Sequence, residues 1–100
     1  MSYFLLRLRH VRPTFPFDAT EAEMAAMGQH MAYWQQQAEA GPAIAVGPVF
    51  DPAGAWGLAL VEADDEAQAR RLSEDDPITG MNLGFSYEVL PVPSLILRRG

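Results

Sequence analysis

The stretch TEAEMAAMGQHMAYWQQQAEAG, residues 20–41, decides the fold because its pattern is that of a long amphipathic helix. Thr20 and Glu23 form a capping box, in which each side chain accepts a hydrogen bond from the backbone N–H of the other. Apolar residues then recur at three- and four-residue intervals, as is typical of a helix face that packs on a core. Gly41 and Pro42 end the helix, since Gly accepts a left-handed cap and Pro cannot continue it.

A histidine lies beside the predicted apolar stripe of this helix. The stripe consists of Met24, Met27, Met31, Trp34 and Ala38. At about 100° per residue, His30 falls roughly 60° from the axis of the stripe. We therefore expect His30 at the border between the core and the solvated face.

The remaining patterns predict a small sheet. Alternating or continuous apolar runs predict strands at 3–9, 43–50, 56–61 and 83–90, and a second helix begins at Asp64 or Asp65 and ends before Pro77. Gly47 and Pro48 indicate a bulge or an edge position in the second strand. The order β-α-β-β-α-β predicts a ferredoxin-like α+β fold, with both helices on one face of an antiparallel sheet.

The chain is predicted to form a single domain over residues 1–100, with a C-terminal extension at 91–100. Residues 94–98 would form either a short edge strand or an arm that reaches a neighbouring subunit. Several strands are apolar on both sides, as shown by Leu5 with Leu6, Val46 with Val49, and Leu58 and Leu60 with Val61. Because a contiguous exposed apolar face marks an interface, we expect a homodimer that packs sheet against sheet as an α+β barrel.

Composition excludes several classes of function. The net charge of −6 and the pI of about 4.6 argue against nucleic acid or anionic membranes as partners. The absence of cysteine excludes disulfides, thiolate nucleophiles and cysteine-ligated metals. The apolar run at the N-terminus is too short for a signal peptide, and no run approaches the roughly 20 apolar residues that span a bilayer. We expect a cytoplasmic protein.

Two residues are the main candidates for chemistry. Histidine side chains ordinarily titrate near neutrality, which lets a histidine such as His30 serve as a general acid or base; the alternative is a border histidine that bonds a neighbouring loop. Asp76 follows Glu74 and Asp75 at the end of the second helix, where acids oppose the helix dipole. The acids form either a solvated helix terminus or a site in which one of them pairs with a histidine. The two helices lie side by side in this topology, which allows a His30–Asp76 pair.

Other polar residues have two interpretations each. Tyr33 either supplies a hydroxyl to the same site or packs as a half-buried amphipathic side chain. Arg7 and Arg9 project from one side of the first strand and either hold a substrate carboxylate or pair with acids across the dimer. His10 is expected at the surface rather than in the site. The two histidines lack metal-binding spacing and a third ligand, so we expect no metal and no cofactor.

A first strand ending in arginines, His30-x-x-Tyr33, Gly47-Pro48 and Asp76-Pro77 occur in this order along the chain. Together they resemble the YciI-like, or YCII-related domain, family from about residue 3 to residue 91. The resemblance implies a dimeric α+β barrel in which His30 and Asp76 lie together in a cleft as a catalytic pair. Some relatives are dehydrochlorinases or lactone dehalogenases, and muconolactone isomerases share the wider fold.

The leading hypothesis is a cofactor-free enzyme in which His30 moves a proton on a small organic acid or lactone and Asp76 orients the imidazole. Isomerisation, and elimination or dehalogenation next to a carbonyl, require neither a metal nor a covalent nucleophile. The alternative is a non-enzymatic dimer module that binds a small molecule or serves a larger assembly. A third hypothesis is a dimer without a ligand, in which side chains fill the space beside His30.

Overall fold

The computed structural model describes residues 2–98, which form one four-stranded antiparallel sheet and two α-helices. In chain order the elements are β1 (Ser2–Arg9), α1 (Glu21–Ala40), β2 (Ala43–Val49), β3 (Trp56–Ala63), α2 (Glu66–Asp75), a 3₁₀ helix (Pro77–Met81) and β4 (Ser86–Val92). The strand order is β2-β3-β1-β4. This order confirms the predicted ferredoxin-like fold. Within the described residues, no helix is long and apolar enough to cross a membrane.

The ends of α1 are those that the sequence predicts. The Thr20 hydroxyl accepts the N–H of Glu23 at 3.1 Å, and the Glu23 carboxylate accepts the N–H of Thr20 at 2.8 Å. Gly41 takes a left-handed conformation with φ of 115°, and its N–H donates to the carbonyl of Gln37 at 3.1 Å. The helix therefore begins and ends where its own backbone groups find local partners.

The buried face of α1 differs from the predicted stripe. It consists of Glu23, Ala26, His30 and Trp34. Met24 and Met31 are each 66% exposed, whereas His30 is only 7% exposed. The expectation of a border position for His30 is therefore wrong. The methionines dominate the hydrophobic pattern, but the helix instead buries two polar side chains that have partners elsewhere in the chain.

Both helices pack on the same face of the sheet. Alternate residues of β1, namely Phe4, Leu6 and Leu8, are buried on this face together with Trp34 of α1 and Ala69 of α2. The opposite face, which neither helix covers, is also partly apolar. On that face Leu5 lies between Leu60 of β3 and Leu90 of β4. We call this second surface the open face.

The irregularity in β2 is not at the predicted place. The register shift lies between Ala43 and Ala45, and Gly47 and Pro48 instead pair regularly with Leu58 and Gly57. β2 is nevertheless an edge strand, as the glycine and proline indicate. Pro48 is tolerated because a strand at an edge has only one neighbour that requires its N–H.

The end of the chain also differs in detail. β4 begins at Ser86 and continues through Pro91, which pairs with Phe4, to Val92, so its predicted bounds of 83–90 are shifted. Residues 94–98 do not form a strand in the described part of the chain. Arg99 and Gly100, the last residues of the predicted extension, lie outside the described residues.

A partly buried ion pair fixes the connection between β1 and α1. The guanidinium of Arg12 donates to both carboxylate oxygens of Glu23, at 2.7 and 2.8 Å, and to Asp18 at 3.0 Å. Glu23 is 6% exposed, so its charge is held among these donors rather than in water. The Arg12 guanidinium, together with the Thr20 N–H, lowers the pKa of Glu23 to about 2.

We expect Glu23→Gln to lower the free energy of unfolding at pH 7. Because the pKa of Glu23 in the folded protein is about 2 and its ordinary value is 4.5, this contribution is present above pH 4.5 and lost as the pH falls toward 2. Urea midpoints of the wild type and the variant, followed by circular dichroism, should therefore differ at pH 7 and converge as the pH falls. Glu21→Gln is the matched control, since Glu21 is exposed in the same helical turn. A difference that does not change with pH would contradict this role for the charge.

Candidate functional site

Asp76 lies at the junction of α2 and the 3₁₀ helix. Pro77 excludes Asp76 from the helical region, and its backbone accordingly turns to φ −63° and ψ 124°. Its Oδ1 accepts the N–H of Ile78 at 3.1 Å and so caps the 3₁₀ helix. The turn directs the carboxylate into the protein, where Asp76 is 1% exposed.

The other carboxylate oxygen, Oδ2, has three partners from two elements. His30 Nδ1 lies 2.6 Å away and the indole Nε1 of Trp34 lies 3.0 Å away, both from the buried face of α1. The hydroxyl of Tyr87, on β4, donates to the same oxygen at 2.5 Å. The predicted contact between His30 and Asp76 is therefore present.

The charge of Asp76 follows from these partners. Burial by itself raises the pKa of this carboxyl, but hydrogen bonds from His30, Tyr87 and the Ile78 N–H outweigh it and hold the pKa below its ordinary value. Asp76 is thus a carboxylate, which accepts hydrogen bonds and cannot donate them. His30 must carry its proton on Nδ1 to pair with it. The remaining nitrogen, Nε2, is then the basic atom of the neutral imidazole.

His30 also lines a cavity of about 530 Å³, which we call the His30 cavity. It lies between α1 and the β2–β3 half of the sheet. Its wall is mainly apolar and includes Phe15, Met27, Met31, Ile44, Val46 and Phe50. Within residues 2–98, His30 Nε2 has no hydrogen-bond partner, yet it is not among the fully enclosed unpaired atoms. Nε2 is therefore open to the cavity, where a ligand can reach it.

A comparison with protein families agrees with this geometry. The family model described as YCII-related domain matches residues 3–93, a range that contains both His30 and Asp76. The chain belongs to the YCII-related domain family. The resemblance inferred from the sequence is confirmed. Among curated proteins, comparison of the sequence finds no match.

Trp34 and Tyr87 belong to the hydrogen-bond network around Asp76 in this YCII-related domain, although neither had a predicted role in the site. The Tyr87 hydroxyl accepts the Trp34 indole N–H at 2.9 Å while it donates to Asp76. Burial and the charge of Asp76 raise the pKa of Tyr87, so its hydroxyl keeps its proton. Alternation along β4 places Tyr87 on the helix side of the sheet, where it pairs with Leu8. This alternation is the sequence pattern from which the position of Tyr87 could have been predicted.

Tyr33 is not brought to the site. Its hydroxyl donates to the carbonyl of Leu72 on α2 at 2.7 Å, and its ring packs edge-on against Trp34 at 5.1 Å. Burial and the nearby charges of Asp75 and Asp76 raise the pKa of Tyr33 to about 12. The second interpretation, that of a half-buried packing residue, describes this geometry.

Arg7 and Arg9 belong to the open face, opposite His30. The guanidinium of Arg7 lies 4.6 Å above the ring of Trp56, and its Nε is 3.9 Å from a carboxylate oxygen of Glu88. The Nε of Arg9 is 4.0 Å from the same oxygen. Arg9, the last residue of β1, also borders the His30 cavity, while its guanidinium lies on the open face near Glu88. The structure thus pairs both arginines with an acid of their own subunit.

His10 is not the surface residue that we expected. It follows β1 on the side of Leu8 and lines the His30 cavity together with His30. Both histidines of the chain therefore face one cavity. Among residues 2–98, no group of three or more His, Asp or Glu side chains is arranged to hold a metal ion.

Replacing Asp76 with Asn should destabilise this YCII-related domain by about 2 kcal/mol or more, because hydrogen bonds to a charged group contribute about 1.5–3 kcal/mol each. Since the pKa of Asp76 is lowered on folding, its contribution is present above the ordinary value of 3.8 and is lost as the pH falls below it. Urea unfolding at one fixed protein concentration, at pH 7 and at lower pH, measures both effects.

Asp75→Asn is the matched control, because Asp75 is the exposed neighbour of Asp76 on α2. It should change the free energy of unfolding by no more than about 0.5 kcal/mol. If the two variants were equally stable at pH 7, a buried carboxylate that holds the network together would be contradicted.

Proposed function

We propose that this YCII-related domain is a cofactor-free enzyme that moves a proton on a small organic acid or lactone bound in the His30 cavity. One observation carries the proposal. The buried carboxylate of Asp76 accepts from His30 Nδ1, and this leaves Nε2 as a base that opens on an apolar cavity. His30 is the catalytic residue in this proposal, and Asp76 is the residue that positions and stabilises it.

The proposed reaction begins when His30 Nε2 removes a proton from a carbon next to a carbonyl group. The imidazolium that forms is stabilised by Asp76, which is already charged and in contact with Nδ1. In an isomerisation, the same proton returns to another carbon of the substrate. In an elimination, the electron pair of the broken C–H bond forms a double bond while a halide or carboxylate leaves with its own electron pair. Apolar walls strengthen each of these charge interactions.

Trp34 and Tyr87 support the pair without reaching the substrate in this proposal. Their donors occupy the side of Asp76 Oδ2 that His30 leaves free, and they keep the carboxylate ionised and oriented. His30 and Trp34 are four residues apart on one face of α1, so a single rigid helix sets both contacts. A base held in this way loses little freedom when the substrate binds.

The alternative is a non-enzymatic module that binds a small molecule. The mainly apolar wall of the cavity supports it, since such a wall suits binding whether or not chemistry follows. The cavity of about 530 Å³ beside His30 gives no support to the third hypothesis, a dimer without a ligand in which side chains fill that space.

Proton exchange tests the proposal before the full reaction is known. Small β,γ-unsaturated acids, lactones and halogenated acids are incubated with the protein in D₂O, and proton NMR follows the loss of signal from the carbon next to the carbonyl. We expect exchange with the wild type, and a decrease of about 10²- to 10⁴-fold with His30→Gln, the range that general base catalysis supplies.

Gln29→Ala is the matched control for this assay, because Gln29 is exposed beside His30 on α1. It should exchange at the rate of the wild type. Equal exchange by the wild type and by folded His30→Gln would exclude His30 as the base. Binding without exchange across the panel would favour the non-enzymatic module.

We also propose a cytoplasmic homodimer as the setting of this activity, with two open faces packed together. Leu5, Leu60 and Leu90 form an apolar centre on that face, and Leu90 is 42% exposed. Arg7 and Glu88 lie beside this centre, as charged residues commonly do at the rim of an interface. An apolar face of this kind is stabilised when a second copy covers it.

Leu90→Glu should therefore separate the subunits, because it would bury a carboxylate without a partner in the interface. Size-exclusion chromatography with light scattering should give twice the chain mass of 11.0 kDa for the wild type and a mass near 11.0 kDa for the variant. Met24→Glu, an exposed position on α1, serves as the control and should stay dimeric. A wild-type mass near 11.0 kDa at micromolar concentration would contradict the dimer.

A further inference from the structure

The basic residues around the His30 cavity are placed so that they cannot meet an anionic ligand. Over residues 2–98, Arg9 is the only lysine or arginine that borders the cavity, and its guanidinium lies on the open face near Glu88. His10 also borders the cavity, but its Nδ1 is fully enclosed and its ring lies closely against Gly54 in the β2–β3 turn. In the described part of the chain, His30 is therefore the one side chain that can present a positive charge to a ligand.

The helices do not supply the missing positive charge either. The N–H groups of an α-helix that can bind an anion are those of its first turn. Helix α1 begins at Glu21 but contributes to the cavity wall only from Met27 onward, and α2 does not contribute to the wall as described over residues 2–98. No helix N-terminus among these residues therefore faces the ligand.

Asp76 places a negative charge directly behind the imidazole of His30. Its Oδ2 lies 2.6 Å from His30 Nδ1, and Asp76 is 1% exposed. If His30 took up a proton on Nε2 to pair with a ligand carboxylate, a single imidazolium would lie between two carboxylates. The site would then retain a net negative charge away from water, and this is unfavourable without a further cation.

The proposed chemistry favours an uncharged ligand for a separate reason. Removal of a proton from the carbon next to a carboxylate produces a dianion, whereas removal next to a ketone or ester carbonyl produces a monoanion. The second negative charge would again require a cation that the wall does not have within residues 2–98. An adjacent anion also favours the protonated form of an imidazole, which is not a base.

The size of the cavity sets the rest of the ligand. A cavity of about 150 Å³ is enough to hold benzene. The His30 cavity, at about 530 Å³, holds a ring with substituents or a molecule of two rings, and its mainly apolar wall suits a hydrocarbon body.

We propose that the His30 cavity binds an uncharged carbonyl compound of one or two rings and discriminates against a carboxylate of the same shape. The carbonyl group of the ligand lies toward His30 and its hydrocarbon body lies against the apolar wall. This inference rests on the proposed function and deepens it, because it selects an uncharged substrate from the acids and lactones that the proposed reaction allows.

Phenylacetamide and phenylacetate test this inference, since they share one shape and only the carboxylate is charged at pH 7. Isothermal titration calorimetry measures the two dissociation constants. Side-chain ¹H–¹⁵N NMR shows whether the ligand contacts His30, whose resonances are identified by their absence in His30→Gln. We expect phenylacetamide to bind at least about tenfold more tightly, because the carboxylate loses more hydration without gaining a cation. Equal affinities, or tighter binding of phenylacetate, would overturn the inference.

Met31→Arg supplies the cation that the wall lacks. Met31 borders the cavity and is 66% exposed, so an arginine at this position keeps contact with water. The variant should bind phenylacetate about three- to tenfold more tightly than the wild type does, and phenylacetamide within about twofold.

Met24→Arg is the matched control, because Met24 is also 66% exposed on α1 but does not border the cavity. It makes the same change to the net charge of the chain and should leave both affinities within about twofold of the wild type. If the two arginine variants bound phenylacetate equally well, the discrimination would come from the net charge rather than from the wall, and the inference would be overturned.

The failure of this inference can be told apart from the failure of the proposed function. Tight binding of phenylacetate, together with proton exchange that is lost in His30→Gln, would retain His30 as the base and overturn the choice of an uncharged ligand. If neither compound shifts the His30 resonances at millimolar concentration, the cavity does not bind ring-sized carbonyl compounds and the inference is overturned. The exchange assay with the smaller acids and lactones still decides the proposed function in that case.

Discussion

The buried carboxylate of Asp76 is the interaction on which the rest of the structure depends. Its two oxygens accept hydrogen bonds from α1, from β4 and from the 3₁₀ helix. Asp76 itself lies at the end of α2, so four segments of the chain meet at this one charge. A carboxylate without partners in this position would cost several kcal/mol. Each element is therefore held to the geometry in which it supplies its donor. The unfavourable placement of acids at the end of α2 is offset in the same way, since one of those acids leaves the helix and its charge is stabilised by buried hydrogen-bond donors.

Much of this arrangement follows from local rules that the sequence displays. The caps of α1 depend on residues three or four positions apart, and the exit of Asp76 from α2 depends on the next residue, Pro77. The dipole argument then made a histidine partner for Asp76 reasonable, and the family resemblance pointed to His30. The donors from Trp34 and Tyr87 were not predicted, because they depend on how α1 and β4 pack in three dimensions.

The error in the predicted buried face of α1 has the same physical origin, namely contacts between residues that are distant in the sequence. A hydrophobic pattern ranks methionine above glutamate and histidine, and so it places Met24 and Met31 inside. Glu23 and His30 are buried instead because Arg12 and Asp76 satisfy them, and those partners lie 11 and 46 residues away in the sequence. A hydrophobic pattern reflects how readily each side chain, taken alone, leaves water. Burial of a polar group also depends on a hydrogen-bond partner, which the pattern does not include.

Strand β1 connects the site to the proposed interface through the alternation of its side chains. Phe4, Leu6 and Leu8 face the helices, while Leu5, Arg7 and Arg9 face the other way. A slip of one residue would exchange the two sets, so that arginines would enter the core and leucines would leave it. Pairing on both sides, with β3 and with β4, excludes that slip.

This alternation also explains why His10 and Arg7 differ in what they can reach. His10 continues the side of Leu8 and so comes to the cavity, whereas Arg7 is fixed to the open face beside Glu88. The most basic side chains of the strand are thus directed to the open face, and an imidazole is directed to the cavity.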